Sequence, residues 1–210
     1  MASQSPRFIY FDLGNVLLHF DHEVSCQQMA AVSGVDHALV NQVVFESDLQ
    51  WRYERGEFSS AKFFETFCEQ TSPKETPKSE DLLHAASAMF QLNTCVLPIL
   101  AHLKAVGNRI GILSNTCAAH WNYVTGHYRI INDLFDVYAL SFELKYMKPE
   151  NEIYTKAADL AGVAPSDILF IDDRQENVEA ARTVGLDAIH FRGAEDLASA
   201  LRQRSVRCNY

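Results

Sequence analysis

The chain has 210 residues, 48% hydrophobic and 21% charged, a balance that fits a globular protein of one large domain or a domain carrying a sizeable insert. Its 18 basic residues against 27 acidic ones leave a formal charge of −9, with no lysine- or arginine-rich block, so nucleic acid and anionic membrane surfaces are poor candidates as partners. No apolar run reaches the roughly 20 residues that span a bilayer and no secretory leader is evident, so the expectation is a soluble, cytoplasmic protein, monomeric or homodimeric.

In chain order, the first strand signal is FIYFD (8 to 12), an apolar run that delivers Asp12 to a glycine-containing turn. From 22 to 94 there is no convincing strand. EVSCQQMAAVSG, HALVNQVVFES, SSAKFFETFCEQ and SEDLLHAASAMF instead space their apolar residues by three and four, which predicts a helical insert. The aromatics Trp51, Tyr53, Phe58, Phe63, Phe64 and Phe67 are read as the core of that small bundle. Further along, helix-period segments at 96 to 107, 151 to 162 and 177 to 185 alternate with strand signals at 109 to 114, 137 to 141, 168 to 172 and 187 to 191. Strand alternating with helix implies an α/β fold, a parallel sheet covered on both faces. Five scattered cysteines (Cys26, Cys68, Cys95, Cys117 and Cys208) without CxxC spacing suit reduced thiols. The last stretch, RQRSVRCNY (202 to 210), reads as a frayed basic tail.

Ligands of a parallel sheet bind beyond the carboxyl ends of its strands. There this sequence places Asp12, then Ser114-Asn115-Thr116, then Lys148-Pro149, then Asp172-Asp173. Singly, either acid fits a turn or a helix cap, Ser114 an ordinary N-cap, and Lys148 a surface position. Together, four such placements in register with the strands point to one site. Acidic and backbone oxygens suit Mg²⁺, and a phosphoryl group held by that ion, Lys148, Ser114 and backbone N–H groups would face in-line attack by Asp12, giving an aspartyl phosphate.

FDLGNV, LSNT, MKPE and FIDDRQENVEAA resemble, in order, the four motifs of the haloacid dehalogenase superfamily, and the helical insert is similar to its cap. The resemblance covers nearly the whole chain. It implies a Rossmann-like parallel core of residues 1–21 and 95–210 with a helical-bundle cap, 22–94, after the first strand. It implies Asp12 as nucleophile, phosphate binding by Ser114 and Asn115, charge stabilisation by Lys148, and Mg²⁺ on Asp12, the Gly14 carbonyl and Asp173, with Asp172 a ligand or a supporting acid. DLGNV, ERGEFS (54 to 59), LSNTCAAHW and KPENEIY further resemble the branch containing bacterial α-glucose-1-phosphate phosphatases. The expected substrate is therefore a small phosphorylated metabolite, with sugar phosphate the leading expectation. His120 also fits that branch, against the plain reading of a helix-surface histidine.

Gly14 departs from the family pattern, which has a second acid there to protonate the leaving group. Asp21, or less readily His19 or His22, is the candidate replacement; a metal-polarised water, a substrate hydroxyl or a good leaving group are the others. Two alternatives stand beside a phosphatase. A metal-independent haloacid dehalogenase would leave Asp172 and Asp173 without a compensating charge, and a weakened binding scaffold would have no need of Asp12 and Lys148.

Overall fold

The computed structural model describes residues 5–206. Cys208 and the end of the expected tail, 207–210, lie outside the described residues.

Five parallel strands form one sheet: β1 (Phe8–Phe11), β4 (Ile110–Ser114), β5 (Val137–Leu140), β6 (Ile168–Asp172) and β7 (Asp187–His190), in the order β5-β4-β1-β6-β7. β1 is central, with Phe11 level with Ile112 on one side and Ile171 on the other. The ends of β1, β4 and β6 therefore come out side by side. Because strand side chains alternate between faces, Ile9 and Phe11 enter one apolar core and Phe8 and Tyr10 the other. α6 (Leu97–Ala105) and α12 (Ala194–Gln203) cover the first face with Leu100, Leu103, Leu197 and Leu201. α10 (Asn151–Ala161) and α11 (Gln175–Thr183) cover the second with Ile153, Tyr154, Ala157, Val178 and Ala181. The Tyr10 hydroxyl, buried in that second core, donates to the Ala157 carbonyl at 2.9 Å.

After β1 the chain reverses through Asn15, whose φ of 54° is one that asparagine tolerates, into the short strand β2 (Leu18–His19). Five helices follow: α1 (His22–Ser33), α2 (His37–Val44), α3 (Leu49–Glu54), α4 (Ser60–Thr71) and α5 (Ser79–Ser87). They close a third core around Met29, Val40, Tyr53, Phe63, Phe67 and Leu82. β3 (Gln91–Leu92) then returns antiparallel to β2, so the 22–94 stretch contains a strand that its helical periodicity hides. Two residues are too few to show alternation. The bundle-core reading also fails for Trp51, which is 47% exposed.

The insert is pinned to the sheet domain through α3. The Tyr53 hydroxyl accepts from Ala119 N at 3.0 Å, at the start of α7 (Ala118–His127), and Ser141 Oγ donates to the Glu54 carbonyl at 2.6 Å. Lys145 Nζ donates to the Gly56 carbonyl at 2.6 Å, and Arg55 pairs with Glu150. The expected frayed tail is anchored as far as it is described: Arg202 and Gln203 belong to α12, Val206 is buried, and Arg204 pairs with Asp187. Among the described residues no helix is long and apolar enough to cross a membrane.

Candidate active site

Asp12 leaves the end of β1 with its N–H donating to the Ile171 carbonyl at 2.8 Å. Its Oδ1 accepts from Leu13 N and from Lys148 Nζ, each at 2.7 Å. Lys148 Nζ also donates to Asp172 Oδ2 at 2.7 Å and to the Leu113 carbonyl at 3.1 Å. One ammonium thus ties together the ends of β1, β4 and β6. The Lys148 backbone is held in turn by Asn115, whose Oδ1 accepts from Lys148 N at 2.8 Å and whose Nδ2 donates to the Lys148 carbonyl at 2.9 Å.

Asp172 is fully buried and saturated. Besides Lys148 it accepts from Arg174 N at 2.8 Å and from Asn177 Nδ2 at 3.0 and 3.1 Å. The half-exposed Asp173 carboxylate accepts only from Asn15 Nδ2, at 3.1 Å, among the described residues. The Asp172 carboxylate is thus committed to Lys148, Arg174 and Asn177, whereas that of Asp173 keeps open acceptor positions.

Oxygens of Asp12, Asp172 and Asp173 lie within 4.8 Å of one another. Three carboxylates against one ammonium leave an excess of negative charge in a buried place. Burial pushes the Asp12 carboxyl up to about 7; Lys148 opposes the rise, and Asp172 and Asp173 add to it. Burial alone would lower Lys148, but Asp12 and Asp172 outweigh it and hold its pKa above the usual lysine value. Asn177 Oδ1, behind Asp172, is buried without a hydrogen-bond donor. An all-oxygen donor set with uncompensated negative charge fits a hard divalent cation such as Mg²⁺.

In front of Asp172 lies a cavity of about 270 Å³ whose wall includes Asp12, Lys148, Asp173 and Asn177. Asp12, Gly14, Ser114, Asn115, Lys148 and Asp173 all face it, and Ser114 is buried with its Oγ donating to the Asn115 carbonyl at 3.2 Å. Gly14 has more than a missing side chain: a Cβ there would stand 2.8 Å from Cε1 of Phe20. The Phe20 ring fills the place where the expected second acid would project.

Asp21 does not replace it. Its carboxylate caps α1, accepting from Glu23 N at 2.9 Å, and it is exposed and absent from the cavity wall. His19 is exposed in β2. His22 does reach the cavity, stacked on Phe45 at 4.2 Å, and burial lowers its pKa although Asp21 opposes this. His120 is not a surface histidine: it is buried in the cavity wall, edge-on to Phe90, and burial with help from His22 pushes its pKa down to about 4. Trp51 and Glu54 also line the cavity, although the sequence reading gave neither a role there. Their three-residue spacing puts them on one face of α3, a signal masked by the aromatics around them.

The haloacid dehalogenase-like hydrolase family model matches residues 7–185, and the chain belongs to that family. It is 26% identical over 204 residues to the sesquiterpene phosphatase astK of Aspergillus oryzae, covering 93% of this chain and 94% of that protein. Over 59 residues it is 41% identical to flavin mononucleotide hydrolase 1 of Arabidopsis thaliana, a match spanning 28% of this chain and 24% of that one. The crystal structure of the HAD family enzyme bt-2542 from Bacteroides thetaiotaomicron, in complex with magnesium and inorganic phosphate, superposes with a TM-score of 0.79 at 25% identity, covering 94% of this chain and all of that one. The protein is thus a hydrolase with phosphatase relatives, and its neighbour from Bacteroides has been solved with magnesium bound.

Proposed function

We propose that the protein hydrolyses small organic phosphomonoesters with Mg²⁺, through an aspartyl phosphate on Asp12. The observation that carries this reading is the convergence of Asp12, Lys148, Asp172 and Asp173 at three adjacent strand ends. A metal-free displacement on carbon has no use for that concentration of acids. Asp12, Asp173 and the Gly14 carbonyl hold the ion, and the bound ion supplies positive charge against the phosphate. Lys148 neutralises the transferring group, Ser114 and the following N–H groups bind its oxygens, and Asn115 and Asp172 keep Lys148 in place. The Asp12 carboxylate attacks phosphorus, the ester oxygen leaves, and water hydrolyses the resulting acyl phosphate to regenerate Asp12.

The five-helix unit acts as a cap that closes the site and selects the leaving group. It brings Trp51 to the wall beside Phe20 and Phe90, and these three aromatic rings favour a leaving group with an apolar face. The C–H face of a sugar ring meets that demand, as do an isoprenoid chain and an aryl ring. The relative from Aspergillus named for sesquiterpenes supports including the second of these. The test is phosphate release from a panel of sugar, isoprenoid and aryl monophosphates with Mg²⁺, with EDTA, and with Asp12→Asn. Mg²⁺-dependent release that Asp12→Asn abolishes is expected; release that ignores both is the contrary result.

A further inference from the structure

The geometry points to Glu54 as the acid–base residue of this hydrolase, supplied from the cap in place of the acid that Gly14 cannot carry. This rests on the phosphomonoesterase reading above. Of the carboxyl groups facing the cavity, Asp12 is the nucleophile and Asp173 binds the cation, and Asp172 is not part of the wall. Glu54 is the remaining one.

Its surroundings suit the task. Glu54 closes α3, and its carbonyl is fixed to the sheet domain by Ser141 Oγ. The Tyr53 bond to Ala119 N and the Lys145 bond to the Gly56 carbonyl flank it on either side. The same contacts that dock the cap therefore set the carboxyl in the site. Gln50 Nε2 donates to Glu54 Oε1 at 2.8 Å, and among the described residues no other hydrogen bond engages the carboxyl group. Burial raises its pKa and outweighs Gln50, Lys148 and Arg174, which lower it, so the protonated form is favoured more than in a free glutamate. The histidines of the wall are poorer donors, since burial lowers the pKa of both His120 and His22 and disfavours their protonated forms.

The steps balance. As the bond from phosphorus to the ester oxygen breaks and that from phosphorus to the Asp12 oxygen forms, the Glu54 carboxyl gives its proton to the departing oxygen. Glu54 carboxylate then takes a proton from the water that attacks phosphorus, the acyl phosphate bond opens, and inorganic phosphate leaves with both carboxyl groups restored.

The test compares phenyl and p-nitrophenyl phosphate, alike in shape but unlike in leaving-group acidity, in wild type, Glu54→Gln and Glu54→Asp with Mg²⁺. Glu54→Gln is expected to slow phenyl phosphate by about 10²- to 10⁴-fold. With p-nitrophenyl phosphate it should give a rapid burst of about one nitrophenolate per enzyme and then slow turnover, because the first step no longer needs the acid and the second still needs the base. Glu54→Asp should recover part of both. An equal loss on both substrates without a burst, or no loss, overturns the assignment. If Glu54→Gln melts early, Glu54→Asp decides: a loss of kcat/KM larger for phenyl than for p-nitrophenyl phosphate supports the assignment, and an equal loss on both, or none, refutes it. Failure of the hydrolase reading looks different, since wild type would then release no phosphate or Asp12→Asn would keep its activity.

Discussion

The contact between Gly14 and Phe20 can be tested as an energy. Gly14 has no left-handed φ, so Gly14→Ala taken alone should stabilise by about 0.4–1 kcal/mol through the unfolded chain. Instead the added methyl carbon meets Cε1 of Phe20 at 2.8 Å, closer than carbon atoms pack. Overpacking of this kind costs about 1–3 kcal/mol. The Phe20 ring is half-buried and rests against His22 and Phe90, with centroids 5.1 and 6.0 Å away, so it can yield somewhat and the cost falls near the lower end. In a Phe20→Ala background the clash disappears. A double-mutant cycle by urea denaturation should therefore show Gly14→Ala destabilising wild type by about 1 kcal/mol and neutral or stabilising without the Phe20 ring, a coupling above about 1 kcal/mol. Equal effects in the two backgrounds would refute the claim that Phe20 occupies the vacated acid position. It also follows that Gly14→Asp needs Phe20→Ala beside it before an added acid can reach the site.

Lys148→Met should remove the charge between two buried carboxylates, destabilising by about 3–5 kcal/mol and lowering kcat at least about 10²-fold; a stable variant of normal kcat would contradict the geometry. His120 titrates near 4 when folded and near 6.5 when unfolded, so the unfolded chain binds more protons between those values. Stability is then lost as pH falls from about 6.5 towards 4, by about 3 kcal/mol, and His120→Asn should flatten this acid limb in denaturation curves taken at stepped pH; an unchanged slope would show that His120 is not buried neutral. Mg²⁺ at about 100 times its Kd should add about 2.7 kcal/mol of stability, read as a rise in Tm that Asp173→Asn removes; an undiminished rise in that variant would place the ion elsewhere.

The sheet was legible because its strands are buried on both faces and read as continuous apolar runs, and β1, β4 and β6 carry Asp12, Ser114 and Asp172 at or next to their last residues, whereas Lys148 lies well beyond the end of β5. What misled were residues whose neighbours decide their role. Asp21 sits between apolar residues near the nucleophile, but the helix beginning at His22 takes its carboxylate as a cap. Trp51 shares its segment with Tyr53, yet it lies on the opposite side of a six-residue helix and faces the cavity while Tyr53 enters the bundle core. His120 lies on α7, which no apolar periodicity announced; its burial comes from Phe90 and the helical insert above it. Glu54 was invisible as a site residue because only the docking of α3 on Ser141 and Ala119 brings it to the cavity that Asp12 also lines.

Covalent phosphorylation of Asp12 is the step on which the proposed reaction turns. Rapid acid quenching during turnover with Mg²⁺, followed by mass spectrometry of the peptide that contains Asp12, should find one added phosphoryl group on that residue, more of it in Glu54→Gln, and none in Asp12→Asn. Phosphate release at full rate with the Asp12 peptide unmodified, and turnover preserved in Asp12→Asn, would contradict it.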